Sequence, residues 1–107
     1  MAEGSRGLSE PAYFVLAALL DGPKHGHAII KTVLALSEHR VKLPVGTLYG
    51  ALDRLAAGGL VVLDREETVD GRRRRYFRLT EEGGTQLRAE ALRLRQAASI
   101  VIGTALA

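Results

Sequence analysis

The amino-acid sequence predicts a mainly α-helical fold with one small β-hairpin and a long C-terminal helix. In three segments before residue 58, apolar residues recur three and four positions apart, which is the spacing of one face of an α-helix. Two strand-like segments then flank the dipeptide Asp70-Gly71, a signal for a tight turn. A last helical pattern follows the second of them. The length of 107 residues suits one domain with a single hydrophobic core.

Two helices are predicted in the first part of the chain. The first spans residues 9–20, where Ser9 is a suitable N-cap and Pro11 is tolerated in the first turn. The second spans residues 25–38 and carries a broad apolar face. Residues 1–7 lack an apolar pattern, and we predict that they form a flexible N-terminus.

A third helix is predicted from Pro44 to the glycine pair 58–59, after a basic loop that ends at Lys42. Three leucines at i, i+4 and i+7 are expected to face the core: Leu48, Leu52 and Leu55. The opposite face is small and polar near its N-terminal end, and we expect it to point away from the core. Its members are Gly46, Thr47, Tyr49, Gly50, Asp53 and Arg54.

The hairpin is predicted from strands at 60–66 and 74–79. Although the formal net charge of the chain is only +3, residues 72–78 contain five arginines and no acidic residue. Four of them, Arg72–Arg75, lie next to the predicted turn, and we call them the tip arginines. The positive charge is therefore concentrated on one hairpin.

The last helix is predicted to begin after Thr80, which can cap it. Five apolar residues then recur at spacings of four, three, four and three, which is a two-heptad seam, and no charged residue follows Arg95. Such a helix exposes more apolar surface than one small domain can cover, which favours burial against a second subunit. The predicted dimerisation residues are Leu87, Ala91, Leu94, Ala98, Val101 and Ile102.

Composition and motifs exclude several classes of function. The absence of cysteine excludes disulfides, thiolate chemistry and cysteine-based zinc sites. The three histidines lack metal-ligand spacing, no serine has a motif that places a base beside it, and no glycine-rich loop resembles a phosphate cradle. No apolar run approaches the ~20 residues of a membrane span. We therefore expect a cytoplasmic protein that is not an enzyme and has no cofactor, no metal site and no membrane partner.

Three helices, a two-stranded hairpin and a long helix are the order of a winged helix-turn-helix domain with an appended dimerisation helix. Three stretches resemble signature segments of PadR-like transcriptional regulators: LLDGPKHGHAI at 19–29, VGTLYGALDRLAAGGLV at 45–61 and DGRRRRYFRLTEEG at 70–83. The central stretch is the most specific, because a generic winged helix would not share all of it.

The resemblance implies a DNA-binding domain over 8–80 and a dimerisation helix over 81–107, within one compact unit. It implies that the third helix enters the major groove and that the hairpin contacts the flanking DNA. It also implies a homodimer that represses transcription and is released by a small-molecule effector. The operator of such a dimer is expected to be an inverted repeat. An exposed face of small residues also lets a helix backbone approach base edges, and arginines supply salt-sensitive phosphate contacts. The candidate double-stranded DNA contacts are Lys42, Gly46, Thr47, Tyr49, Gly50, Arg54 and the tip arginines Arg72, Arg73, Arg74 and Arg75.

Other interpretations remain open at this point. The domain could be a winged-helix module that docks an acidic protein without binding specific DNA, in which case the exposed face of the third helix should be more apolar. Tyr49 could be a half-buried packing residue, the tip arginines a solvated surface, and the C-terminal seam a contact with the first helix of the same chain.

Overall fold

A computed structural model describes residues 7–103. Its elements, in chain order, are α1 (Glu10–Ala18), β1 (Lys24–His25), α2 (Gly26–Leu36), α3 (Val45–Ala57), β2 (Val61–Val69), β3 (Arg72–Leu79) and α4 (Glu81–Ile102). The predicted flexible segment 1–7 lies outside the described residues except for Gly7, and so do residues 104–107 of the predicted last helix.

Two of the helix starts are set by the caps that the sequence predicts. The Ser9 hydroxyl accepts a hydrogen bond from the Ala12 amide at 3.2 Å, and the Thr80 hydroxyl accepts one from the Gly83 amide at 2.9 Å. Each hydroxyl satisfies a backbone donor that has no partner within its helix.

Helix α2 is shorter than predicted, because it ends at Leu36 rather than near Glu38. Glu38 and His39 adopt positive φ angles of 54° and 69°, which are incompatible with a continuing α-helix. The buried Ser37 hydroxyl accepts a hydrogen bond from the Val41 amide at 2.9 Å and so holds the turn that leads to α3.

The strands form an antiparallel sheet of order β1-β3-β2. The β2–β3 pair, which we call the wing hairpin, is longer than predicted and closes through Asp70 and Gly71, whose φ angles are 53° and 78°. Two successive positive φ angles are those of a tight hairpin turn. The register shifts between Leu63 and Arg65, so that Asp64 is the extra residue of a bulge.

Strand β1 was not predicted. It has two residues, Lys24 and His25, which pair with Phe77 and Tyr76 of β3. This pairing holds the start of α2 beside the wing hairpin.

The core lies between α1, α2, α3, the sheet and the first part of α4. Its largest fully buried side chains are Leu16, Ile29, Leu48, Leu52, Val15 and Val33. Phe77 of β3 and Leu87 of α4 belong to the same cluster. None of the helices within residues 7–103 combines the length and the apolar character needed to cross a bilayer.

Candidate nucleic-acid interface

The tip arginines line a groove of about 610 Å³ between the wing hairpin and the start of α2. The other residues along it are His25, Gly26, His27, Ala28, Lys31 and Tyr49. The groove therefore combines the side chains of four arginines and one lysine with two imidazoles, and no acidic residue of the described chain lines it. A concave surface of one charge sign concentrates positive potential and attracts anions.

The exposed face of α3 lies where the sequence predicts it at four positions, Gly46, Thr47, Asp53 and Arg54, whereas Gly50 is half-buried. A Cβ atom at residue 46 would meet nothing within 4 Å, and one at Gly50 would lie 3.7 Å from the nearest atom, a nitrogen of the Arg54 side chain. The fold therefore requires glycine at neither position. The two glycines leave the α3 backbone open to close approach by another molecule.

Tyr49 is half-buried and does not lie wholly on the exposed face. Its ring packs edge-on against Phe77, with 6.4 Å between the ring centroids. The guanidinium carbon of Arg75 lies 6.0 Å from the centroid of the Tyr49 ring and 5.2 Å from that of Phe77. Tyr49 thus packs against the wing hairpin and also lines the groove.

Acidic residues of the wing hairpin neutralise only part of its positive charge. Asp64 and Glu67 both contact Arg65, at 2.9 and 2.8 Å, and the hydrogen bond from Arg65 lowers the pKa of Glu67. Arg73 lies 3.4 Å from Glu66. Three tip arginines form no ion pair with any residue from 7 to 103: Arg72, Arg74 and Arg75. Their charges remain available to an anionic partner.

His25 connects β1, α2 and the groove. Its Nδ1 atom accepts a long hydrogen bond, 3.5 Å, from the Ala28 amide at the start of α2. Its ring lies edge-on to Tyr76, at 5.3 Å between centroids. Burial lowers the pKa of His25, and the positive charges of Arg74 and His27 lower it further.

Lys42 lies outside this groove. It is exposed in the α2–α3 connection and borders a separate, mainly apolar hollow with Ile30, Leu34, Leu43 and Pro44. The structure therefore does not bring Lys42 together with the tip arginines.

The predicted dimerisation residues fall into two groups. Leu87 is 5% exposed and packs inside the core of its own domain, and Ala91 is half-buried. The remaining four lie on the exposed part of α4: Leu94, Ala98, Val101 and Ile102. The exposed fraction rises from 43% at Leu94 to 77% at Ile102. The uncovered apolar surface therefore lies in the second half of the helix.

Sequence reasoning missed five groove residues: His25, Gly26, His27, Ala28 and Lys31. They lie 18 or more residues before Tyr49 and more than 40 before the tip arginines, so that only the pairing of β1 with β3 brings them to the groove. The basic residue types of His25, His27 and Lys31 near the start of α2 were the available signal.

These features define a winged helix-turn-helix domain with a basic groove beside its third helix. The chain belongs to the transcriptional regulator PadR-like family, whose family model matches residues 15–89. The fold and the family are those of transcription regulators, as the resemblance in the three signature segments predicts.

Two curated relatives share part of the chain. An uncharacterized 37.1 kDa protein in transposon TN4556 of Streptomyces fradiae is 47% identical over 77 residues, which are 72% of this chain and 21% of that protein. Transcriptional regulator Rv3488 of Mycobacterium tuberculosis is 41% identical over 68 residues, 64% of this chain and 63% of that protein. The chain thus spans about a fifth of the first relative and under two thirds of the second.

Solved structures share the fold. A PadR family transcription regulator from Clostridium difficile superposes with a TM-score of 0.74 at 23% identity, covering 89% of this chain and 97% of that one. PadR of Bacillus subtilis, solved in complex with operator DNA, superposes with a TM-score of 0.64 at 19% identity, covering 73% of this chain and 44% of that one.

Proposed function

We propose that this protein is a cytoplasmic, sequence-specific DNA-binding regulator that acts as a homodimeric repressor on an inverted-repeat operator. The observation that carries the proposal is the basic groove beside the exposed, glycine-containing face of α3. Phosphates would neutralise the unpaired tip arginines, while the open α3 backbone would approach base edges in the major groove. The operator complex of Bacillus subtilis PadR supports this use of the fold.

Within this proposal the candidate contacts divide by role. Gly46, Thr47 and Gly50 lie where direct base contacts would be made, and Arg54 follows one turn later on the same helix. The tip arginines supply phosphate contacts that depend on salt rather than on sequence. Lys42, outside the groove, would contact a phosphate beyond the α2–α3 connection.

Recovery of bound fragments from genomic DNA tests the proposal. Purified protein is mixed with fragmented genomic DNA at near-physiological salt, and the retained fragments are sequenced. We expect enrichment of an inverted repeat whose half-sites are about one helical turn apart, since a two-fold dimer presents two α3 helices. Retention without a shared motif, or no retention, would contradict the proposal and favour a protein-docking module.

The dimer in this proposal forms through the exposed half of α4. The interface is stabilised by the removal of apolar surface from water. An aspartate at Val101 would place an unpaired charge in this interface, which costs free energy. We expect sedimentation equilibrium to give twice the monomer mass for the unaltered chain and the monomer mass for Val101→Asp. Gln96→Asp adds the same charge at an exposed polar position of α4 and should leave the dimer intact. A Val101→Asp variant that stays dimeric would overturn this assignment.

Steric repression is the mechanism that we propose, relieved when a small molecule changes the spacing between the two subunits. A change in the distance between the two α3 helices would prevent both from contacting successive major grooves. Genes beside the recovered operator would supply the effector candidates for a binding competition.

A further inference from the structure

Gly26, the first residue of α2, is buried against the ring of Tyr49. A Cβ atom at residue 26 would lie 2.5 Å from the Tyr49 hydroxyl oxygen and 2.9 Å from the ring carbon that carries it. Both distances are shorter than a van der Waals contact allows. The Tyr49 ring therefore occupies the space that any side chain at residue 26 would need.

Backbone conformation does not explain this glycine. The positive-φ glycines of the described chain are Gly22, Gly59 and Gly71, and Gly26 is not among them. Its helical position would accept alanine, which has the highest helix propensity. The Tyr49 ring is thus the structural reason for glycine at residue 26.

The Tyr49 hydroxyl is held at the basic groove without a partner in the protein. It makes no hydrogen bond to any residue from 7 to 103, and it is not sealed from solvent. The groove around it contains Lys31 and the tip arginines. An accessible hydroxyl among cationic side chains can donate a hydrogen bond to an anion that these charges attract.

We infer that Gly26 is a positioning residue for DNA binding: by leaving room for the Tyr49 ring, it holds the Tyr49 hydroxyl in the groove, where that hydroxyl donates a hydrogen bond to a phosphate of the DNA backbone. This inference rests on the proposed function. It assigns a phosphate subsite to the start of α2 and the wing hairpin, and a role to a residue that contacts DNA only through Tyr49.

A double-mutant cycle between residues 26 and 49 tests the inference. Affinity is measured by fluorescence anisotropy with a labelled duplex of about 30 base pairs, which is long enough for two half-sites. The duplex carries the recovered operator or, if no operator is recovered, a mixed sequence that is titrated at low salt. Tyr49→Phe removes only the hydroxyl and should weaken binding about tenfold, the effect of one hydrogen bond to a charged group. Gly26→Ala should weaken binding by a similar factor, because the added methyl displaces the ring.

The Tyr49→Leu background separates positioning from a general structural effect. Leucine lacks the ring atoms that the methyl would meet, so Gly26→Ala should change affinity by less than about twofold in that background. If Gly26→Ala alone does not fold, thermal unfolding should show that adding Tyr49→Leu restores the fold. The double variant should then bind DNA with the same affinity as the Tyr49→Leu single variant. Equal losses from Gly26→Ala in both backgrounds, no loss in either, or a double variant that remains unfolded would each overturn the inference.

Failure of the proposed function gives a different result. An unaltered chain that binds neither duplex contradicts DNA binding itself, whereas an unaltered chain that binds DNA and tolerates Gly26→Ala contradicts only the role of Gly26. The thermal-unfolding arm of the cycle tests the contact between residues 26 and 49 in both cases.

Discussion

Gly83 of α4 lies against the backbone carbonyl of Leu60 so closely that a Cβ atom at residue 83 would overlap the carbonyl oxygen. The same oxygen accepts a hydrogen bond from the Thr80 amide at 3.1 Å, and the Thr80 hydroxyl donates to the Gly59 carbonyl at 2.6 Å. The start of α4 is therefore held against residues 59–60, just before the wing hairpin, by these two hydrogen bonds and by the close backbone contact at Gly83.

This contact predicts opposite effects at two adjacent glycines. Gly83→Ala should lower the free energy of unfolding by about 1–3 kcal/mol, the cost of overpacking, because the obstacle is backbone rather than a flexible side chain. Gly84→Ala places its Cβ 3.8 Å from Leu79, an ordinary contact, and should raise that free energy by up to about 1 kcal/mol. Urea unfolding of both variants measures the difference. Equal effects at the two positions would refute the close contact at Gly83.

Local signals explain why most of the fold could be predicted from the sequence. Caps such as Ser9 and Thr80 act on amides three residues away, and the Asp70-Gly71 turn is defined by its own backbone. Strand β1 has no such signal, because Lys24 and His25 form a strand only through their pairing with β3. The early end of α2 could not be predicted either, because the residues with positive φ angles after it are Glu38 and His39 rather than glycine.

Only the part of the candidate site that α3 and the hairpin contribute could be predicted from the sequence. Periodicity assigned Gly46 and Thr47 to the exposed face of α3, and the run of arginines marked the hairpin. The orientation of Tyr49 depends on the space left by Gly26, which lies 23 positions earlier and shows no pattern with it in the sequence. A groove formed by segments so distant along the chain becomes visible only once the sheet is paired.

Replacing the half-buried Gly50 of α3 by alanine should stabilise the fold but weaken DNA binding. Gly50→Ala should raise the free energy of unfolding by up to about 1 kcal/mol, since glycine is unfavourable within a helix and the added methyl meets only the Arg54 side chain. The same methyl should keep the helix away from base edges and weaken operator binding about tenfold, as one mismatched base pair does. Urea unfolding and anisotropy titrations measure the two effects.

Gly84→Ala is the matched control for Gly50→Ala, because it adds the same methyl group to α4, away from the groove. It should stabilise the fold and leave DNA affinity unchanged. If Gly50→Ala bound operator as tightly as the unaltered chain, the face of α3 that carries Gly50 would not approach DNA closely.

The tip arginines predict a change in salt dependence. Arg74 has no ion pair within the described chain. Arg74→Ala should therefore reduce the magnitude of the slope of log affinity against log salt by about one, which is the effect of one lost phosphate contact. Sequence preference should change little. Titrations with operator at several salt concentrations measure the slope. Arg88→Ala removes the same charge from the exposed surface of α4 and should leave the slope unchanged. An unaltered slope for Arg74→Ala would exclude Arg74 as a phosphate contact.

His25 predicts a loss of stability in mild acid. Its pKa is lowered in the folded protein by burial first and then by the charges of Arg74 and His27, so the unfolded chain takes up a proton that the folded chain resists. Stability should therefore fall as the pH decreases below about 6.5, the ordinary histidine value, and level off once the lowered pKa is passed. Protonation also removes the lone pair with which Nδ1 caps α2.

His25→Asn keeps an acceptor suited to an N-cap but does not titrate. Urea unfolding from about pH 7.5 to about pH 5.5 should therefore show a smaller loss for His25→Asn than for the unaltered chain. Identical losses would mean that His25 takes up no additional proton on unfolding in this range.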